Sequence, residues 1–106
     1  MTTPLDDLIA RIERATHGTF VLDCDVSAVF GRSEMPPRAY TVNPECALSL
    51  LPSDLYWLIG KGRTRPDEPL YGVNLFNPGD EKAIVQAESE SLCLAICLAA
   101  LKARTP

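Results

Sequence analysis

The chain has 106 residues, 46% of them hydrophobic and 23% charged, which is the balance of one folded domain rather than a disordered chain. Ten Lys plus Arg against fourteen Asp plus Glu leave a net charge of −4, which argues against general binding to duplex nucleic acid, where neutralising the backbone dominates affinity. A domain of this size hides roughly 65% of its unfolded surface, enough for one core but not for a catalytic cleft with a lid. We therefore expect a single domain over residues 1–106.

The N-terminus, Met1-Thr2-Thr3-Pro4-Leu5-Asp6-Asp7, lacks the basic start and apolar run of a secretory signal, so a cytosolic location is expected. Thr3-Pro4-Leu5-Asp6 is a helix start, with Thr3 as N-cap and Pro4 at the first helical position. Helix 1 should reach about Thr16, with Leu5, Leu8, Ile9 and Ile12 on one face and Gly18 as the stop. Residues 20–30 fit both periods. Helix is preferred, because Thr19 can cap it, Asp23 suits its first turns and Gly31 can end it, whereas a strand would place Val29 among Asp23, Asp25 and Ser27.

After a Pro36-Pro37 loop, residues 39–42 read as a short extended piece. Asn43-Pro44-Glu45 is a second cap-plus-proline start, for a helix over 44–50 that Pro52 closes. Leu55-Tyr56-Trp57-Leu58-Ile59 carries large apolar residues on both faces, as a strand covered on both sides would, and this predicts the centre of the sheet. Residues 70–76 and 82–87 are the next strands, joined by the turn Asn77-Pro78-Gly79-Asp80.

Ser89 or Ser91 begins the last helix. Leu92, Cys93, Leu94, Ile96, Cys97, Leu98 and Leu101 surround nearly its whole cylinder, so it should cross a sheet or form a seam between copies of the chain. Its apolar run is about half the roughly 20 residues that span a bilayer, so no membrane partner is expected. The order is ααβαβββα, an α+β domain with a small antiparallel sheet and helices on both faces, an α/β/α sandwich.

The opening Leu5 to Thr16, the passage from Ala39-Tyr40-Thr41 to Pro44-Glu45-Cys46-Ala47-Leu48, and the closing Ser91 to Arg104 resemble, in this order, the phage ABA sandwich domain of small phage and prophage proteins. The resemblance implies an α/β/α sandwich, a phage origin and the cytoplasm of a bacterial host. Its motifs are helical packing patterns, so it transfers no functional residue.

The sharpest local feature is the stretch Gly60-Lys61-Gly62-Arg63-Thr64-Arg65-Pro66, where three of the ten basic residues fall within five positions. Two glycines would let backbone N–H groups approach an anion, with Lys61, Arg63 and Arg65 as its charged donors. Tyr56, Trp57 and Tyr71 lie on or near the strands that this stretch joins and could stack on a base. It is no Walker loop, and the alternative is a solvated hairpin tip.

Four cysteines, Cys24, Cys46, Cys93 and Cys97, form no C-x-x-C pair and read as free, buried thiols. Asp23 and Asp25, two apart on a helix, are poorly arranged for one metal ion, and His17 stands at a helix end. Neither a metal nor a cofactor is expected. Without a recognisable nucleophile, metal set or phosphate motif, the expected activity is non-enzymatic binding: counter-defence by blocking a host immune protein or by sequestering a nucleotide signal. The alternatives are a virion or assembly accessory acting through a homo-oligomer of the last helix, and a small nucleotide-processing enzyme.

Overall fold

The computed structural model describes residues 4–32, 36–62 and 65–104. Their elements are α1 (Pro4–Arg14), α2 (Phe20–Val29), α3 (Pro44–Leu48), β1 (Tyr56–Lys61), β2 (Tyr71–Phe76), β3 (Val85–Ser89) and α4 (Leu92–Ala103). The strands form one antiparallel sheet in the order β1-β2-β3, so this is an α+β fold with helices packed on a sheet. The N-cap proposed at Thr3 lies outside the described residues.

The local signals produce the helices. Thr19 accepts from Leu22 N and starts α2, so residues 20–29 are helical as read. Gly31, at φ 69°, closes that helix. Its N–H donates to Ala28 O and that of Arg32 to Ser27 O, a pair of bonds that needs a left-handed residue after the helix. Asn43 caps α3 by accepting from Glu45 N and Cys46 N, and Ser91 caps α4 by accepting from Leu94 N.

α4 is the centre of the molecule. Its residues from Cys93 to Leu101 are all buried, because one side lies on β2 and β3 while α1 and α3 pack on the others. The apolar cylinder is therefore consumed within a single copy, and the seam expected on this helix does not exist as a free surface. α1 contributes Leu8 and Ile12 to the core, and α2 packs on α1.

Three expectations are corrected. Residues 39–42 form turns, not an extended piece. They are held against the start of α2 by Thr41, whose N–H (2.8 Å) and hydroxyl (2.6 Å) both meet Asp23 Oδ1. Thr19 N–H in turn donates to the Thr41 hydroxyl at 3.1 Å.

The second concerns Gly18, which does not end α1, since that helix stops at Arg14. It is the point where the chain passes under this joint, and a Cβ there would lie 1.9 Å from Thr41 O.

The third concerns β1, which is an edge strand. β2 is the centre of the sheet, and Tyr56, Trp57 and Leu58 are exposed at 65%, 49% and 61%. Apolar residues on both faces of β1 mark a largely open edge strand, not a covered central one, with Ile59 half-buried against the core on the α4 side. The register shows the same asymmetry across the sheet. Val73, Leu75, Ala87 and Ser89 share the face under α4, whereas Tyr56, Leu58, Gly60, Gly72, Asn74, Gln86 and Glu88 share the other. Among the described residues no helix covers that second face, so the layers run sheet, α4, then α1 and α3, and the α+β fold stands while the helices expected on both faces of the sheet are found on one.

Candidate functional site

A groove of about 870 Å³ opens on the uncovered face, toward the end of the sheet where β1 turns into β2. Its floor exists because Gly60 and Gly72 pair directly across the two strands, so neither places a side chain above the sheet at that level. Leu58, Asn74 and Glu88 line it from the strands, and Glu68 and Pro69 line it from the connection between β1 and β2. Lys61 and Tyr71 border its end, but Tyr71 pairs with both Lys61 and Ser89, so their side chains share the α4 face, where the Lys61 ammonium lies 5.8 Å from the centre of the Tyr71 ring, a cation–π contact.

The groove can offer an apolar wall at Leu58 and Pro69 and an amide at Asn74. It also carries the carboxylates of Glu68 and Glu88. Two carboxylates do not make a cradle for a bare phosphate. The arrangement instead suits a ligand that brings hydrogen-bond donors or its own positive charge alongside apolar surface.

The sequence-read residues are only partly united here. Of the anion set, Lys61 lines the groove, Arg65 is exposed in the turn that Glu68 N–H closes onto Arg65 O, and Arg63 lies outside the described residues. Of the aromatic set, Tyr71 borders the groove but pairs with Ser89, so its ring shares the α4 face. Tyr56 and Trp57 are successive strand residues and point to opposite faces, Tyr56 with Leu58 on the open face and Trp57 opposite Leu75 on the α4 face. They cannot stack on one base together.

Sequence reasoning missed Leu58, Asn74, Glu68 and Glu88. A usable signal was present in Gly60 and Gly72, since glycine inside a strand marks a place where something can approach the backbone.

Asp23 accepts from Thr41, and Asp25 pairs with Arg11 at 2.7 Å, so both act in the scaffold. His17 Nδ1 lies 3.2 Å from the Thr16 hydroxyl, in a bend beyond α1 rather than at its end. All four cysteines are free, Cys93 and Cys97 buried, Cys24 and Cys46 half-buried. Burial pushes the Cys97 thiol far above its ordinary range, and its Sγ donates to Tyr40 O at 3.2 Å, which keeps it a packing group. Among the described residues, no helix is long and apolar enough to cross a membrane. No group of three or more His, Cys, Asp or Glu side chains among them is placed to hold a metal ion.

Comparison of the chain with protein-family models, with curated proteins and with solved structures finds no match.

Proposed function

We propose that this chain is a non-enzymatic binding protein encoded by a phage or prophage, which acts in the host cytoplasm by occupying a component of host defence. The observation that carries this reading is the uncovered sheet face. A groove floored by two glycines lies beside the exposed side chains of Tyr56 and Leu58, on an unblocked edge strand that also exposes Trp57 on its other face. Chains that act alone rarely leave contiguous apolar surface of this kind in water. The net charge of −4 favours a basic partner, since opposite charge speeds encounter.

The preferred target is a host protein. A pull-down from infected cells should recover the same host protein with the parent chain and lose it with Leu58→Lys, a change on the open face that leaves the core untouched. Recovery of no host protein, or of the same protein undiminished by that change, would sink the reading.

Sequestration of a nucleotide signal is the second version, and it draws on the Lys61–Tyr71 contact at the β1–β2 end of the sheet. Calorimetry with cyclic nucleotides and nicotinamide-derived signals tests it, with charge reversal at Lys61, Arg63 and Arg65. Absence of heat, or heat unaffected by the reversals, removes that version.

A further inference from the structure

The two edges of the sheet are treated differently. On the β3 edge, Gln86 and Glu88 are exposed, Lys102 Nζ donates to Gln86 O at 3.2 Å, and Lys102 also pairs with Glu13 at 3.9 Å. That edge is polar and partly capped, as edges that must not pair usually are. On the β1 edge the residues from Tyr56 to Ile59 carry no charge at all.

The direction of the free backbone groups on β1 follows from the ladder. Gly62 N–H donates to Leu70 O, toward β2, and the register Tyr56↔Phe76 through Lys61↔Tyr71 carries the same alternation along the strand. Even-numbered residues of β1 therefore turn their N–H and C=O to β2, and those of Trp57, Ile59 and Lys61 turn outward. An incoming strand needs small residues opposite Tyr56 and Leu58 on one face and a side chain that can lie on Trp57 on the other. β1 itself has that pattern.

We propose that β1 pairs antiparallel with β1 of a second copy, about a two-fold axis through Ile59 and perpendicular to the sheet, giving a continuous six-stranded sheet. Such an axis keeps each face on its own side, so it must pass through a residue and not between two. With Ile59 on the axis, Leu58 falls opposite the second copy's Gly60 and Tyr56 opposite its Gly62, so the bulky residues meet glycines. Trp57 falls opposite the second copy's Lys61. That ammonium already lies over Tyr71 at 5.8 Å, and the pairing supplies an aromatic ring on its other side.

The three exposed side chains and the strand backbone hide roughly 500 Å² per copy, or about 1,000 Å² together, the lower bound of a specific interface. Both grooves open on the same face of the joined sheet. Leu58 of each copy lies beside Gly60 in the floor of the other's groove, so each groove is completed by its neighbour.

The seam uses side chains on which the proposed function also draws, but sedimentation of the purified chain reads the dimer with no host protein present, so the two readings fail separately. Equilibrium sedimentation of the full chain over a micromolar range should give a reversible dimer. Trp57 is the one tryptophan in the chain, and its emission should shift to the blue as the dimer forms. Each copy carries a charge of −4 and the seam itself has only lysine, so added salt should tighten the dimer, opposite to the effect on docking a basic partner.

Trp57→Pro removes an outward N–H that no bond within one copy uses, which edge strands tolerate, and it should weaken the dimer at least ~30-fold. Leu58→Lys should do the same without touching the backbone, and circular dichroism of both variants should match the parent. For the register, the pair Leu58→Cys with Gly60→Cys should cross-link between copies more readily than the parent chain does. A monomer at every concentration with unchanged emission would overturn the proposal, as would a dimer that survives both Trp57→Pro and Leu58→Lys. Cross-linking by Leu58→Cys alone would move the axis to Leu58 and overturn the register.

Discussion

The joint between residues 39–42 and α2 rests on the Thr41 N–H and hydroxyl, and replacing the hydroxyl alone tests the account of the fold most directly. In Thr41→Val the volume and the β-branch are kept and only the hydroxyl is lost. Thr41 is 1% exposed, and its hydroxyl stands 2.6 Å from Asp23 Oδ1 while accepting from Thr19 N at 3.1 Å. A hydrogen bond to a carboxylate contributes about 2 kcal/mol and a part-buried N–H left without its acceptor costs about 1 kcal/mol, so Thr41→Val should destabilise by about 3 kcal/mol. Against a total of roughly 5–15 kcal/mol this is a large fraction.

Urea unfolding followed by circular dichroism reads the effect. With a slope of about 1.5 kcal/mol per molar urea, the midpoint should fall by about 2 M at unchanged slope. Thr41→Ser keeps the hydroxyl and should recover most of the difference. A loss under about 1 kcal/mol for Thr41→Val, or equal losses for Val and Ser, would mean that the methyl and not the hydroxyl holds the turn.

Gly18→Ala should be more damaging than a helix-propensity argument allows, because its Cβ would meet the Thr41 carbonyl at 1.9 Å; a thermal midpoint equal to that of the parent would contradict the close approach. Thiol reagents should modify Cys24 and Cys46 in the folded chain and reach Cys97 only on unfolding, as counted by mass spectrometry. The raised Cys97 thiol also fixes the sign of one pH effect. The folded chain holds it protonated, so its contribution is complete below the ordinary value of 9.0 and is lost as pH rises beyond it, by about 1.4 kcal/mol per pH unit. The stability of Cys97→Ala should fall less steeply over that range. Leu94→Ala, at a position with no exposure, should cost about 2–5 kcal/mol in the same urea assay, and a smaller loss would place α4 outside the core.

The helices were legible because their signals are local. Thr19, Asn43 and Ser91 cap the elements that follow them, and Gly31 closes α2, each through bonds to residues at most a few positions away. The hairpin strands were legible for the same reason, with boundaries moved by up to three residues, as where β3 runs from Val85 to Ser89 instead of from residue 82. The candidate site was legible only at Lys61 and Tyr71. Its floor is a pairing of Gly60 with Gly72 and its walls come from three separate stretches of chain, so nothing short of the register assembles it.

β1 marks the limit of the sequence most clearly. Apolar residues on both faces are what a covered central strand needs and also what an open, adhesive edge has, since alternation records which residues avoid water but not what stands over them. The run from Leu92 to Leu101 poses the same ambiguity in reverse. It reads equally as a buried crossing helix or as a seam between copies, and the packing of β2, β3, α1 and α3 around it decides for burial. The composition by itself determined that one core could form, and the local caps and alternations along the sequence determined that helices and a hairpin sheet would supply it. Which apolar surface that core consumed and which it left facing water depended on the order of the strands and the stacking of the layers, because burial belongs to the assembled neighbours of a residue and not to the residue.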